Sequence, residues 1–500
     1  MPFHARLLYR CIILIIVVPP RLICWARFSN RVLVLGAGSV SQCVLPLLIE
    51  HLVDAKQITI ADMRDNRSRV SEAIAAGAVY VQDQLTRENM DQFLSKYLSA
   101  GDFLLDLAWN IDANAIIGWA HDHGVIYLNT SVEEWEPYAA GASRNPTERT
   151  LYWRHMKLRK LTDTWGGKGP TAIVEHGANP GLVSHLTKKA LFDIATAAVK
   201  DGKAGAGVAE ALATENFPIL AQKLGVKVIH IAERDTQISD KPKQVNEFVN
   251  TWSVEGFYEE GIAPAEMGWG THEKTLPVNA YQHPDGPKNQ ICIAQPGATT
   301  WVRSWVPNME TTGMVIRHGE AFTISDHLTV WDGSKAVYRP TVHYAYCPTD
   351  AAVASMHELQ MRQWDLTANQ RIMNEEIIDG DDRLGVLLMG HPYKSWWTGS
   401  LLNIHESRKL VPKQSATTVQ VASAVYAAVA WAMANPNSGY LVPDDLPWRE
   451  VLAFAEKYWG GYHSAAADWD PLMHRNDLFK GWNNRKYDES DPWQFSNFLV

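Results

Sequence analysis

A glycine turn near the start of the chain has the spacing of a dinucleotide-binding site. The apolar run Val32 to Leu35 leads into Gly36-Ala37-Gly38-Ser39-Val40-Ser41, and a helical pattern begins at Gln42. Glycines in such a turn let a pyrophosphate approach the helix N-terminus, whose dipole favours anions. The third position departs from the usual pattern, because it is Ser41 rather than Gly or Ala. We predict dinucleotide contacts at Gly36, Gly38, Ser39 and Val40.

The ends of later predicted strands carry polar residues suited to the rest of such a cofactor. The strand Gln57 to Asp62 ends in an acid, whose carboxylate would bind the adenosine ribose and repel a 2′-phosphate. Asp62 therefore favours NAD over NADP, although Arg64 and Arg67 leave that choice open at this point. Ligands bind at the carboxyl ends of parallel strands, so we predict a nicotinamide site from the residues that follow two further strands, Asn110, Asn129, Thr130 and Ser131.

Length and composition indicate a globular protein of more than one domain. The chain has 500 residues, 46% hydrophobic and 20% charged, which excludes disordered, collagen-like and coiled-coil proteins. A formal net charge of −9 gives no attraction to nucleic acid or anionic membranes and suits a cationic small molecule better. The five cysteines lack CxxC spacing, so neither a disulfide framework nor a zinc site is indicated, and a reducing compartment fits.

Alternating strands and helices from residue 31 predict an α/β fold with a Rossmann-type doubly wound parallel sheet. Further strands are predicted over Ala78 to Val81, Phe103 to Leu107 and Val125 to Asn129. After Gly177 the pattern changes to long helices and β-rich stretches, among them Gly313 to Val330. We therefore predict a nucleotide-binding domain at 31–175, completed by C-terminal helices within 391–500, and an inserted α+β substrate-binding and dimerisation domain at 176–390.

Two apolar segments bear on a membrane location. Residues 1–30 carry an apolar stretch between basic residues that is too short to span a bilayer and has no A-x-A-like cleavage site. A non-native or mis-started extension and a membrane anchor or signal are the two alternatives. Ala416 to Ala434 reaches membrane length, but its polar residues, among them Gln420 and Ser423, favour a buried helix. We predict a cytoplasmic protein with neither membrane nor nucleic acid as a partner.

Several spaced motifs together carry a resemblance to a known enzyme family. They are the glycine turn and the segments Asn129 to Glu133, His176 to Gly181, Ile316 to Ala321, Trp396 to Ser400 and Ala416 to Ala422. Over about Arg31 to Tyr462 the chain resembles the bacterial homospermidine synthases, a branch of the saccharopine dehydrogenase-like enzymes. The resemblance implies an NAD-dependent homodimer that joins two putrescines, or spermidine and putrescine, into homospermidine. Ammonia or 1,3-diaminopropane leaves, and hydride abstraction, imine exchange and hydride return give no net redox change.

The resemblance also implies which side chains form the substrate pocket. Diamines are doubly cationic, so their site needs carboxylates or aromatic faces, and the reacting amine must lose a proton to a base. The implied roles are substrate contacts for Glu134 and Asn179, a cation–π contact for Trp252, amine orientation or proton acceptance for Glu233 and Glu260, and proton transfer for His318 and Glu320. Which of these is the base stays open. No HExxH, P-loop or GxSxG pattern occurs, so no metal is predicted.

Two other functions stay open at the level of sequence. One is an NADP-dependent dehydrogenase of the carboxynorspermidine or saccharopine type. That enzyme would need a pocket arginine for a substrate carboxylate, whereas the residues named above are acidic or aromatic. The other is a non-catalytic NAD-binding sensor, for which the set of acids, histidine and tryptophan would be coincidental.

Overall fold

The structure is a computed structural model that describes residues 27–137, 143–475, 478–479, 482 and 486–500. Most of the predicted extension at 1–30 therefore lies outside the described residues. The helices are α1 Ser39–His51, α2 Ser71–Ala76, α3 Met90–Tyr97, α4 Ala113–Asp122, α5 Leu151–Thr162, α6 Leu182–Lys200, α7 Val208–Ala213, α8 Phe217–Leu224, α9 Val254–Ile262, α10 Glu320–His327, α11 Asp350–Met361, α12 Ile404–Leu410, α13 Ala416–Ala434, α14 Trp448–Trp459 and α15 Phe495–Phe498.

The strands divide between two large sheets and three short two-stranded ones. They are β1 Val32–Leu35, β2 Ile58–Asp62, β3 Val79–Gln82, β4 Phe103–Asp106, β5 Ile126–Asn129, β6 Ala172–Ile173, β7 Val228–Asp235, β8 Ile238–Ser239, β9 Phe248–Asn250, β10 Pro264–Gly268, β11 Ala280–Gln282, β12 Gln290–Pro296, β13 Trp301–Val306, β14 Met309–Met314, β15 Val330–Asp332, β16 Lys335–Tyr338, β17 Thr341–Cys347, β18 Gln370–Ile372, β19 Ile377–Asp379, β20 Asp381–Met389, β21 Ser395–Asn403, β22 Tyr440–Leu441 and β23 His463–Ala467.

The first sheet has seven parallel strands in the order β3-β2-β1-β4-β5-β6-β22. Its first six strands follow the Rossmann order, so the predicted fold class is confirmed. The order reverses between β1 and β4, which creates a switch point at their carboxyl ends. Every residue of β1 and β4 is buried, because helices cover both faces of such a sheet.

The second sheet is mixed and runs β11-β12-β10-β17-β7-β20-β21-β23, with β14 joining β13 to β17. Its centre places β7 between β17, which is parallel to it, and β20, which is antiparallel. The C-terminal segment contributes to both sheets, since β22 extends the first sheet whereas β21 and β23 belong to the second. Side chains of β7, β17 and β20 therefore project from three adjacent strands in the interior of this sheet.

One stretch differs from the sequence-based expectation. Residues 313–330 were expected to be β-rich, but α10 occupies Glu320–His327. The β-branched Thr323 and Ile324 favour a strand locally. Their burial against β10 and β17, and an acid in the first helical turn, outweigh that preference. The expectation was therefore wrong over α10.

Helix α13 is a core helix of this fold. Among the described residues it alone is long and apolar enough to cross a membrane. However, 89% of its most apolar 18-residue stretch is buried inside the protein. It packs against α1 and α14. The side-chain amide of Gln420 on this helix donates a hydrogen bond to the Asp382 carbonyl at 2.9 Å.

Candidate active site

A cleft of about 690 Å³ opens at the switch point of the first sheet. The glycine turn, the end of β2 and the loop after β4 line it. Six of the predicted cofactor residues therefore lie together around one space: Gly36, Gly38, Ser39, Val40, Asp62 and Asn110. Its location matches the place where open α/β sheets bind dinucleotides.

The glycine turn has the shape that a pyrophosphate requires. Gly36 has a φ of +87°, and a Cβ there would lie 2.8 Å from the Leu107 carbonyl oxygen, so only glycine fits. A Cβ on Gly38 would meet no atom within 4 Å, so this residue faces open space at the start of α1. The unusual Ser41 is buried and its hydroxyl donates to the Gly36 carbonyl at 2.6 Å. Serine therefore supports the turn instead of blocking it.

Two side chains beyond the turn complete the fit to a dinucleotide. The Asp62 carboxylate accepts hydrogen bonds from the Ala37 and Arg64 backbone N–H groups at 2.7 and 2.8 Å, and it lines the cleft where a ribose would lie. Asn110 has a φ of +60°, and its buried Oδ1 has no hydrogen-bond partner among the described residues. An unused acceptor at the cleft wall indicates that a ligand completes the site.

The other three predicted cofactor residues do not line this cleft. Asn129 is buried, where its Nδ2 donates to the Tyr127 hydroxyl at 3.0 Å and its Oδ1 accepts from the Glu175 N–H at 2.8 Å. Ser131 donates to Glu133 at 2.8 Å, and Thr130 lies between the two. Asn129 and Ser131 thus form hydrogen bonds with neighbouring residues at the carboxyl end of β5.

A second cluster forms around Glu233 at the end of β7. Asn179 Nδ2 donates to its Oε2 at 3.0 Å, and the Tyr344 hydroxyl donates to the same oxygen. Tyr346 stacks on Tyr344 with ring centroids 5.0 Å apart. Burial is the largest influence on the Glu233 carboxyl and raises its pKa to about 8. A carboxyl that titrates near neutral pH is suited to accept and return a proton.

His318 lies between two carboxylates beside this cluster. Its Nδ1 is 3.1 Å from Glu320 Oε1, and its Nε2 is 3.2 Å from Glu260 Oε2. Burial by itself would lower the pKa of His318, but the two carboxylates outweigh burial and raise the pKa well above 6.5. The ring also packs against Tyr344 at 4.3 Å. His318 is therefore an imidazolium that forms ion pairs with Glu260 and Glu320 at neutral pH.

Trp252 joins the cluster from the segment between β9 and α9. Its indole N–H donates to the Tyr346 hydroxyl at 2.9 Å, and its ring contacts Phe257 at 5.7 Å. The residue is half-buried. An aromatic face among carboxylates can bind an ammonium group by cation–π attraction.

Two residues that the sequence did not single out add charge to the cluster. Asp235 and Asp382 are fully buried on the paired strands β7 and β20. Burial raises the pKa of the Asp382 carboxyl well above 3.8. Within the described part of the chain, neither aspartate nor Glu233 forms an ion pair with Lys or Arg. The cluster is thus acidic, and its charge is balanced by the His318 imidazolium beside it and not by a Lys or Arg among the described residues.

Glu134, the remaining predicted substrate contact, lies elsewhere. Its carboxylate contacts Lys157 at 2.8 Å, Arg144 at 3.1 Å and Arg154 at 3.5 Å. Three cations already compensate its charge, and it makes no contact with the Glu233 cluster. As for metals, no group of three or more His, Cys, Asp or Glu side chains within the described ranges is arranged to hold an ion.

The two glycines of the turn should behave differently when each is replaced by alanine. We expect Gly38→Ala to weaken NAD binding about tenfold or more, because the added methyl group would lie where the pyrophosphate must approach closely. A tenfold change in Kd corresponds to about 1.4 kcal/mol of binding free energy. Stability should barely change, because the added methyl group meets no atom. Gly36→Ala should cost about 1–3 kcal/mol of stability, because alanine is strained at this positive φ and its Cβ would clash with the Leu107 carbonyl oxygen. Calorimetric titration with NAD measures the affinity of each variant, and urea unfolding measures its stability. Equal losses of stability in the two variants would contradict the different roles given to Gly36 and Gly38.

The chain is similar to known proteins over nearly its whole length. Family models for the saccharopine dehydrogenase NADP binding domain and C-terminal domain match residues 32–173 and 177–459. Homospermidine synthase of Blastochloris viridis is 41% identical, over 95% of this chain and 98% of the relative. The Mesorhizobium japonicum homospermidine synthase is 38% identical, with coverage of 95% and 97%. Homospermidine synthase of Legionella pneumophila, solved in complex with NAD, is 36% identical with a TM-score of 0.84, covering 95% of this chain and 99% of that one.

Proposed function

Because this chain belongs to the homospermidine synthases of the saccharopine dehydrogenase family, we propose that it joins two putrescine molecules, or spermidine and putrescine, into homospermidine. Ammonia or 1,3-diaminopropane is the other product. The observation that carries this proposal is the buried cluster of Glu233, Asp235 and Asp382, with Trp252 at its side. An acidic cluster in which Glu233, Asp235 and Asp382 have no Lys or Arg partner among the described residues suits a substrate with two positive charges.

NAD is the cofactor of this proposal. Bound NAD would supply a hydride acceptor for the amine-bearing carbon and, once reduced, the hydride donor for the later step, so a single cofactor would serve both redox steps. Gly36, Gly38 and Ser39 would hold its pyrophosphate at the start of α1, Asp62 its adenosine ribose, and Asn110 would offer its free Oδ1.

The chain's own residues bind the diamine and move its protons. One ammonium group would lie against the Trp252 ring and the carboxylates of Glu233 and Glu260. Glu233 takes a proton from the reacting amine, because burial has raised its pKa into the working range. Asn179 and Tyr344 orient its carboxyl. His318 keeps Glu260 and Glu320 fixed.

The NADP-dependent alternative would need an arginine free to bind a substrate carboxylate. Arg317, next to His318, already forms an ion pair with Glu259 at 2.9 Å. Arg154 forms ion pairs with Glu133 and Glu259 at 3.3 and 3.0 Å. Both guanidinium groups are thus compensated within the protein, which favours a cationic over an anionic substrate. A non-catalytic sensor would not require a buried cluster of three acids without a Lys or Arg partner among the described residues.

One assay separates these functions. The purified chain is incubated with putrescine and substoichiometric NAD, and products are identified by mass spectrometry. We expect homospermidine and ammonia in equal amounts, with turnover exceeding the NAD supplied. Continuous accumulation of NADH would instead indicate an ordinary dehydrogenase, and NAD binding without any product would indicate a sensor.

Replacing Trp252 should test the cation–π contact. A cation–π contact contributes up to about 2 kcal/mol, so Trp252→Ala should lower kcat/KM for putrescine by about 30-fold. Trp252→Phe keeps an aromatic face but loses the bond to Tyr346, and it should retain part of the activity. Trp331→Ala, at a partly exposed tryptophan on β15, is the matched control. Wild-type kcat/KM in both Trp252 variants would reject this role.

We also propose that the protein is a cytoplasmic homodimer, as the family resemblance and the unpatterned cysteines suggest. Analytical ultracentrifugation should give about twice the chain mass of 56.0 kDa. Fractionation of cells should recover the protein with the soluble fraction. Quantitative recovery with membranes, or a monomer at micromolar concentration, would overturn the respective part of this proposal.

A further inference from the structure

Glu259, on α9, connects side chains from the cofactor cleft and from the substrate cluster. Its buried Oε2 accepts a hydrogen bond from the Trp109 indole at 2.9 Å. Its Oε1 accepts from Arg154 at 3.0 Å and from Arg317 at 2.9 Å. Burial by itself would raise the pKa of Glu259, but the two guanidinium groups lower it to about 2. The carboxylate is therefore ionised and all of its contacts are charge-assisted.

The partners of Glu259 come from the cofactor cleft and from the segment that carries His318. Trp109 follows β4, lines the cofactor cleft and exposes 47% of its surface there. Arg317 immediately precedes His318, whose Nε2 contacts Glu260, the residue after Glu259. One carboxylate thus fixes a wall of the cleft together with the two segments that carry the histidine and its acid.

We propose that Glu259 is a positioning residue that couples NAD binding to the placement of His318, a role that rests on the proposed function. An indole whose N–H is anchored presents one fixed face to the cleft, whereas a free indole must be ordered when the ligand binds. On the other side, the ion pair with Arg317 holds the backbone next to His318. Losing the carboxylate disturbs both sites, and losing only the indole N–H disturbs one.

Three single variants and one double variant test this coupling through NAD affinity, measured by calorimetry without substrate. We expect Trp109→Phe and Glu259→Gln each to raise the Kd for NAD by about tenfold. The double variant should bind no more weakly than the weaker single variant, because both remove the same contact. Trp119→Phe is the matched control, because the Trp119 indole donates a hydrogen bond to Asp91, with 2.9 Å between nitrogen and oxygen, and does not line the cleft. The Kd of this variant for NAD should equal that of the wild type.

Turnover at saturating NAD separates positioning from a merely structural role. Glu259→Gln should lower kcat about tenfold, Trp109→Phe should leave kcat within about threefold, and Glu259→Asp, which keeps the charge, should recover part of the loss. Wild-type NAD affinity in both single variants, losses that multiply in the double variant, or an unchanged kcat in Glu259→Gln would overturn the proposal. If Glu259→Gln does not fold, Trp109→Phe and Glu259→Asp decide the matter. A wild type without homospermidine synthesis would refute the proposed function, while the NAD titrations would still test the bond to Trp109.

Discussion

Glu233→Gln should lower kcat for homospermidine formation by about 10²- to 10⁴-fold, the range that a positioned proton-transfer group contributes. Glutamine has nearly the same shape, and its amide oxygen can still accept hydrogen bonds from Asn179 and Tyr344. What it cannot do is accept the proton of the reacting amine. Stopped-flow or discontinuous product assays at saturating putrescine and NAD measure the loss directly.

The dependence of kcat on pH tests whether Glu233 acts as the base. A general base must be ionised to act, and the pKa of Glu233 is raised to about 8. Wild-type kcat should therefore be low in acid and rise to a plateau above about pH 8. The residual activity of Glu233→Gln should lack this limb. A variant that kept the same limb would show that another group is the base.

Glu273→Gln is a matched control for the Glu233 substitution. The side chain of Glu273 is also buried, and burial raises its pKa to about 7. Its carboxylate accepts hydrogen bonds from Thr341 at 2.6 Å and from the Phe495 N–H at 3.0 Å, so it supports the fold away from the cluster. Its substitution should change stability while leaving kcat within a few-fold. An equal fall of kcat in both variants would mean that the Glu233 effect is structural.

The parts of the fold that follow from local pattern could be predicted from the sequence. The glycine turn, the parallel strands and the buried helix Ala416–Ala434 each depend on residues close together in the chain. Helix α10 could not, because its β-branched residues favour a strand and only packing on the second sheet decides the matter. Local propensity is a weak guide where tertiary contacts disagree with it.

The candidate site shows the same division between local and distant information. Tyr344 and Tyr346 alternate along β17 and so share one face of the strand, a signal that the sequence offered. That this face meets Glu233 and Asp382 depends on the pairing of three strands far apart in the chain. Likewise, nothing near Asn129 or Glu134 in the chain indicates that distant backbone groups or cations already satisfy them.

The replacement of His318 by glutamine should show how much the contacts of His318 with Glu260 and Glu320 contribute to the stability of the protein. The carboxyl of Glu320 is fully buried, and removing one partner of a buried ion pair costs about 3–5 kcal/mol of stability. We expect that fall in the free energy of unfolding by urea, together with loss of homospermidine formation. Because the pKa of folded His318 lies well above 6.5, its stabilisation is complete below pH 6.5 and is lost as pH rises through the folded pKa.

The double variant His318→Gln/Glu320→Gln separates uncompensated charge from lost packing. If the single variant is unstable because Glu320 is left buried without a cation, neutralising that acid should restore much of the stability. Activity should not return, since neither side chain can then carry a proton beside the substrate. A double variant as unstable as the single one would instead indicate that the imidazole ring stabilises the fold by packing against Tyr344. The difference in unfolding free energy between wild type and His318→Gln should therefore shrink at alkaline pH, whereas a pure packing effect would not depend on pH.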